Sequence, residues 1–224
     1  MDEKIFVVIP TIRNLDFLSS WEKEFKDLYG IIIEDHQEKN IQVPSNVFKK
    51  TYHYTWADIN NNLKDKSWII PRKSSAIRSY GFLKAYEMGA TRIITIDDDC
   101  LPSEKDFVSK HIENLNAKVP SRWFPTLPVS GLWGTRGFPY GEEREQIKIE
   151  VSHGMWKRHL DLDAPTHLMK LNYEFNQDLL FNYFIPKNYY FPLCIMNVAF
   201  NRSVTPLFYM LLMGYHSKTS PFWF

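Results

Sequence analysis

The reading of the fold turns on Arg92-Ile-Ile-Thr-Ile-Asp97-Asp98-Asp99-Cys100. An apolar, β-branched run stops abruptly at three carboxylates. Such a run reads as a buried strand. The acids then sit at its carboxyl end, where open α/β sheets bind their ligands. Three adjacent like charges repel one another and lose solvation when partly buried. A divalent cation offsets both effects, and hard carboxylate oxygens suit Mg²⁺ or Mn²⁺. A solvated acidic turn is the plainer alternative.

The segments around this strand alternate in period. Ile5 to Ile9 reads as a first buried strand, closed by Pro10 because proline cannot continue a central ladder. Phe17, Leu18, Trp21, Phe25 and Leu28 recur at helical spacing, with Gly30 as the stop. Ile31 to Ile33 is a second strand, ending in Glu34-Asp35. Strand, helix, strand over so short a distance is a βαβ unit with a parallel pair. Residues 36–67 are polar and read as loops, with a short helix near Asp58 to Leu63. Trp68-Ile-Ile70 is a candidate short strand. Ser74 or Ser75 caps a helix through Ile77, Tyr80, Leu83 and Met88, with Gly89 at its end. Beyond the acids, Ser103 and Asp106 suggest a cap for a helix from Glu104 to about Asn114. The alternation argues a right-handed parallel sheet.

After Ala117 the texture changes. Prolines and glycines between Pro120 and Gly141 break any long helix. This stretch reads as an irregular lobe covering a site, not as a second domain. Ile147 to Val151 and Ile195 to Phe200 are strand candidates, and Thr205 to Met213 a short apolar helix. The expectation is one domain over 1–224, with a nucleotide-binding half to 116 and a sugar or acceptor half from 117.

Composition narrows the function classes. Of 224 residues, 44% are hydrophobic and 16% aromatic, so a sizeable core forms and disorder is not expected. A net charge of +1 gives no reason to expect nucleic acid or an anionic membrane as partner. Two cysteines, Cys100 and Cys194, make no disulfide framework and suit a reducing compartment. No signal peptide and no transmembrane stretch is evident, so a cytoplasmic location is expected.

Six segments, taken together and in order, carry more information than any one of them. They are Pro10 to Leu18, Thr95-Ile-Asp-Asp-Asp-Cys100, Arg136-Gly-Phe-Pro-Tyr140, Val151-Ser-His-Gly-Met-Trp156, Asp161-Leu-Asp-Ala-Pro-Thr166 and Met196-Asn-Val-Ala-Phe200. In this arrangement the chain resembles the plant-type reversibly glycosylated polypeptides, also called UDP-arabinopyranose mutases. The resemblance implies a glycosyltransferase A-type fold, an α/β architecture with a mostly parallel sheet flanked by helices. It also implies a manganese-bound UDP-sugar, interconversion of UDP-arabinopyranose and UDP-arabinofuranose, and self-glycosylation on an arginine. Homo- or hetero-oligomers with homologues, and a peripheral place on the Golgi surface in a eukaryotic host, belong to the same expectation. The chain departs from the pattern in one place. An acidic segment of the family before its late Trp-His-Ser-Lys motif is missing, and Leu212-Met-Gly214 runs straight into Tyr215-His-Ser-Lys218.

The resemblance assigns candidate roles. Asp97 and Asp99 are expected at a metal, with His216 as a third ligand, and Asp97 or Asp98 at the ribose. Thr11, Arg13 and Asp35, at the ends of the first two strands, would meet uridine. Arg78, in Lys73-Ser-Ser-Ala-Ile-Arg78 at a helix start, and Lys218 would contact phosphate. Arg136 matches the glycosylated arginine, and Arg144 a second needed arginine, here one residue further along. A protonated guanidinium is a poor nucleophile, so a phosphate clamp is the plainer role for Arg136. His153, Trp156, Asp163 and Asn197 are candidates for the sugar. For Trp156 the alternative is core packing, and for Asn197 a satisfied internal contact. Two rivals to the mutase remain: a non-catalytic homologue that assembles with active subunits, and a transferase with a separate acceptor.

Overall fold

The computed structural model describes residues 3–102, 106–120, 146–156, 164–169, 184–185 and 188–210. In chain order these form β1 (Ile5–Thr11), a 3₁₀ turn (Asp16–Trp21) leading into α1 (Glu22–Phe25), β2 (Tyr29–Glu34), β3 (Lys50–Tyr54) and α2 (Trp56–Leu63). Two 3₁₀ turns, Lys64–Ile69 and Ser75–Ile77, precede α3 (Arg78–Glu87) and β4 (Arg92–Ile96). There follow α4 (Phe107–Asn116), β5 (Lys118–Pro120), β6 (Gln146–Lys148), β7 (Val151–His153), α5 (Ala164–Met169), β8 (Asn197–Asn201) and a last 3₁₀ turn (Arg202–Leu207).

Six strands make one sheet in the order β3-β2-β1-β4-β8-β7, while β5 and β6 pair separately. β1 to β4 are parallel to one another. β8 runs antiparallel to β4, and β7 antiparallel to β8. The result is a mostly parallel α/β sheet flanked by helices, as a glycosyltransferase A-type fold requires. The order of the parallel strands reverses between β1 and β4, which marks a topological switch point.

Both faces of the sheet are buried, so its central strands are apolar throughout. In β1, Val7 and Ile9 face one cluster with Trp21, Phe25 and Leu115. Phe6 and Val8 face the other, with Tyr80, Phe82 and Ala85 of α3. Trp21 stacks on Phe25 at 4.9 Å, and Phe107 meets Trp21 edge-on at the same distance. On the second face α3 lies so close to β1 that a Cβ on Gly81 would overlap Cγ1 of Val8. Gly81→Ala is therefore expected to lower unfolding free energy by about 1–3 kcal/mol, despite alanine's better helix propensity. Urea denaturation measures this directly.

Several local expectations need correction. β1 does not stop at Pro10 but pairs through Pro10↔Ile33 to Thr11↔Glu34. The Thr11 carbonyl accepts from the Asp35 amide on the β2 side, at 2.8 Å. By alternation, Pro10 turns its missing N–H toward β4, whose ladder with β1 has already ended at Val8↔Thr95. The first helix is short and begins as a 3₁₀ turn, and Gly30 lies inside β2 instead of ending a helix. A Cβ there would come within 2.5 Å of the Phe48 ring. Strand β3 lies within a stretch read as loop; its Lys-Thr-Tyr-His-Tyr sequence has the β-formers but no apolar face. Trp68–Ile70 is not a strand, since Lys64–Ile69 is a 3₁₀ turn. The 147–151 candidate divides into β6 and β7. In place of an apolar helix from Thr205, the chain makes a 3₁₀ turn at Arg202–Leu207 containing Pro206.

The helix after β4 begins at Phe107 behind Asp106, whose φ is 73°. Its cap comes from elsewhere in the chain. The Glu24 carboxylate accepts from the amides of Asp106 (2.9 Å) and Val108 (3.1 Å), placing a negative charge at the positive end of the helix. Ser103, expected as the cap, lies outside the described residues.

Candidate functional site

The carboxyl ends of β1, β2 and β4 bring Thr11, Glu34-Asp35 and Asp97–Asp99 to one edge of the sheet. The reversed strand β8 starts at this edge, with Asn197 opposite Ile96. β7 ends there, with His153 opposite Val198. Residues distant in sequence thus converge because three parallel strands end, and one antiparallel strand begins, along one line.

The three aspartates part company. Asp97 pairs with Arg78, whose side chain is wholly buried. The Arg78 guanidinium also donates to the carbonyls of Ser75 (3.0 Å) and Ile195 (3.1 Å) and to the Thr95 hydroxyl (3.1 Å). This corrects the placement of Arg78 at a phosphate. Four of its five N–H donors are engaged inside the protein, one of them on Asp97, which it fixes in place. Asp98 turns to the loop after β1. It accepts from the Thr11 hydroxyl at 2.8 Å and from the Ile12 amide at 3.4 Å, with Arg13 Nε at 3.2 Å. Thr11 and Arg13 thus serve Asp98 directly. Asp99 is exposed, and among the described residues its hydrogen-bond contact is the Cys100 thiol, at 3.9 Å. Burial pushes that thiol up to about 12, so it is no nucleophile at neutral pH. The loop is pinned from below by Trp21, whose indole N–H donates to the Cys100 carbonyl at 2.8 Å.

Among the described residues no three His, Cys, Asp or Glu side chains converge as a metal cage. Arg78 and Arg13 have compensated two of the three charges. Asp99 and the second oxygens of Asp97 and Asp98 remain, an open set of oxygen donors. That set fits Mg²⁺ or Mn²⁺, ions commonly held by one or two carboxylates together with substrate phosphates.

Asp35 lies at the edge as expected, and both its oxygens have protein donors. One accepts the Trp56 indole N–H at 2.7 Å, the other the Ser74 amide at 2.8 Å. The carboxylate so ties α2 and the 72–75 segment to the end of β2. Trp56 lies between His36 (6.4 Å) and the Arg72 guanidinium (5.6 Å). Its neighbour Glu34 was not singled out in the sequence. It is 1% exposed and accepts from the amides of Asn40 (2.9 Å) and Ile41 (3.4 Å), with His53 Nε2 at 2.8 Å. An acid at the end of a buried strand was the available signal. Glu34 shapes the 36–41 loop beside the edge.

On the far side, burial lowers the affinity of His153 for a proton, opposed by its bond to the Cys194 backbone. Its ring meets Phe191 edge-on at 5.0 Å, and its buried Nε2 has no partner among the described residues. Trp156 packs at the margin of the Trp21 cluster, yet its indole nitrogen also lacks a partner among the described residues. Asn197 is buried, and its Oδ1 lies 2.9 Å from Nε2 of His111, a residue absent from the sequence reading. Arg136, Arg144, Asp161, Asp163, His216 and Lys218 fall outside the described residues.

A family model described as reversibly glycosylated polypeptide matches residues 1–222. The chain belongs to that family. Among family members, UDP-arabinopyranose mutase 1 of Oryza sativa subsp. japonica is 37% identical over 96% of this chain. A probable UDP-arabinopyranose mutase 1 of Pisum sativum is 38% identical over 96%. UDP-arabinopyranose mutase 2 of Arabidopsis thaliana is 37% identical over 96%. The chain spans about 60% of the length of these curated relatives. No described helix of this reversibly glycosylated polypeptide is long and apolar enough to cross a membrane.

Proposed function

We propose that this chain binds a UDP-sugar along the carboxyl edge and, as a metal-dependent mutase, interconverts UDP-arabinopyranose and UDP-arabinofuranose. One observation carries the reading. A protein similar to named UDP-arabinopyranose mutases over nearly its whole length gathers Asp97–Asp99, Thr11, Asp35, His153 and Asn197 at its switch-point edge.

Asp99 and the second oxygen of Asp97 would hold Mn²⁺ or Mg²⁺, with His216 the third ligand that the family resemblance implies. When bound, the ion neutralises charge developing on the departing UDP. Arg78 holds the Asp97 carboxylate in place. Thr11 and Arg13 hold Asp98, which leaves the backbone after β1 positioned for the uridine, beside Asp35. His153 donates from Nδ1 to the Cys194 carbonyl, so its neutral ring presents Nε2 as a bare acceptor for a sugar hydroxyl. The Trp156 indole N–H donates to a sugar oxygen.

Arg136 is the residue we assign to holding the sugar while UDP is detached. A bond from its nitrogen to the anomeric carbon forms as the bond from that carbon to UDP breaks, and the guanidinium gives up one proton to solvent, regained when UDP later displaces it. The ring opens and recloses through a different hydroxyl, and UDP displaces the arginine. Arg144 and Lys218 offer charge to the pyrophosphate, and Asp163 accepts from sugar hydroxyls. The shorter connection before Tyr215 favours a second reading, in which the chain assembles with active homologues and turns over nothing. In either reading a cytoplasmic chain, lodged on the Golgi surface where the host has one, fits the family.

The test is incubation of purified protein with UDP-arabinofuranose and Mn²⁺, followed by chromatography of the nucleotide sugars. The pyranose form is expected. No conversion, with UDP binding retained by calorimetry, supports the non-catalytic subunit. Absence of both binding and turnover overturns the site. Arg136→Ala is expected to abolish labelling of the protein by a radioactive UDP-sugar; persisting label would place the acceptor elsewhere.

A further inference from the structure

We infer that the Asn197 amide group donates to a hydroxyl of the bound sugar, and that His111 is the positioning residue that orients it. This rests on the sugar occupying the carboxyl edge.

The orientation of the Asn197 amide, with Oδ1 toward the ring, sets the direction of each hydrogen in the network. Asn197 Oδ1 can only accept, so His111 Nε2 carries the hydrogen in the 2.9 Å bond between them. The imidazole is buried, and burial holds it neutral. Its Nδ1 therefore accepts, and the Ser152 hydroxyl at 2.9 Å donates to it. Ser152 Oγ in turn accepts from Asn114 Nδ2 at 3.1 Å. The hydrogens run one way, from α4 through β7 and back through the imidazole to the start of β8. With this tautomer a flipped Asn197 amide would set two donors against each other, so ring tautomer and amide orientation are fixed together.

That orientation leaves Nδ2 with its hydrogens unused. No described residue accepts from it. It lies against the bare Cα of Gly154, where a Cβ would overlap it, and the Gly154 amide donates to the Asn197 carbonyl at 2.9 Å. The amide is thus gripped on one side by a hydrogen bond and on the other by the lack of a side chain. Asn197 pairs with Ile96, the residue before Asp97. A polar cluster serving only the core would spend its last donor internally. This one ends with an unspent donor one residue from the acids.

The test compares calorimetric affinities for UDP and for UDP-arabinofuranose, with Mn²⁺, in the full chain and three variants. Asn197→Ala removes the donor. His111→Phe keeps a ring against Phe107, which lies 4.9 Å away, but releases the amide. His111→Gln restores a donor to Oδ1. Asn197→Ala and His111→Phe are expected to weaken UDP-sugar binding about 5–10-fold, the worth of about one hydrogen bond, with UDP binding unchanged. Their combination should weaken it no further, and His111→Gln should stay near the parent. Equal weakening of UDP and UDP-sugar by His111→Phe, or additive losses, would overturn the positioning role. If the parent binds UDP-sugar and Asn197→Ala binds it equally well, this inference fails alone. If the parent itself does not bind UDP-sugar, the functional reading beneath it fails as well. Independently of any variant, ¹⁵N chemical shifts of the parent should report the Nε2–H tautomer of His111; the Nδ1–H tautomer would overturn the network.

Discussion

Arg78→Met is expected to lower unfolding free energy by about 3 kcal/mol or more, the scale for breaking a buried ion pair from one side. The reasoning is local. Arg78 is fully buried and supplies bonds to Asp97, Thr95 and two backbone carbonyls. Methionine matches part of its volume but leaves the Asp97 charge and those acceptors without their donor. Asp97 is partly exposed, so water recovers some of its solvation and the loss falls toward the low end of the range. The double variant Arg78→Met/Asp97→Asn should recover part of the stability, because the uncompensated charge is gone. Denaturant melts of the two variants measure both terms. A fully stable Arg78→Met protein would contradict the described burial.

Asp99→Asn should act in the opposite sense, with little change in stability and a large loss of function. The side chain is exposed and, among the described residues, has a long thiol contact alone, so the described fold does not lean on it. An amide is a poor ligand for a hard cation, and the charge on the departing UDP would lose its compensation. Conversion of UDP-arabinofuranose is expected to fall by about 10²-fold or more, the scale for losing one electrostatic contact to a developing anion. Steady-state turnover at fixed Mn²⁺ checks it, and excess Mn²⁺ should recover part of the rate. Asp98→Asn provides the contrast. It weakens the contacts to Thr11 and Arg13, so it should raise the UDP dissociation constant more than it lowers turnover.

Much of this arrangement was legible in the chain. The β-branched run before Asp97 gave the central strand, and Ile5 to Ile9 with Ile31 to Ile33 gave its neighbours, because buried parallel strands are apolar without interruption. The carboxyl-edge placement of Thr11, Asp35 and the aspartates followed from that reading. What was not legible depended on contacts between segments distant in sequence. The resemblance put Asp97 and Asp99 together at a metal, but Arg78 claims one oxygen of Asp97 from α3. His111 was not singled out in the sequence, and only the antiparallel return of β8 brings Asn197 to it. The cap of α4 was sought in the nearest serine and comes from Glu24, some eighty positions earlier. Strand β3 escaped notice because an edge strand with lysines and tyrosines has no apolar signature.

Pro10 gives the crevice at the edge a covalent origin. A strand that could donate at that position would be free to extend its pairing with β4 past Thr95, drawing the loop after Thr11 down onto the backbone of the aspartates. A residue that has no hydrogen to give makes such zippering incomplete by construction. The gap between the two strands therefore does not depend on a loop holding itself open. Other residues at position 10 should narrow it, and the first contact at risk is the one between Thr11 and Asp98, which now spans the opening.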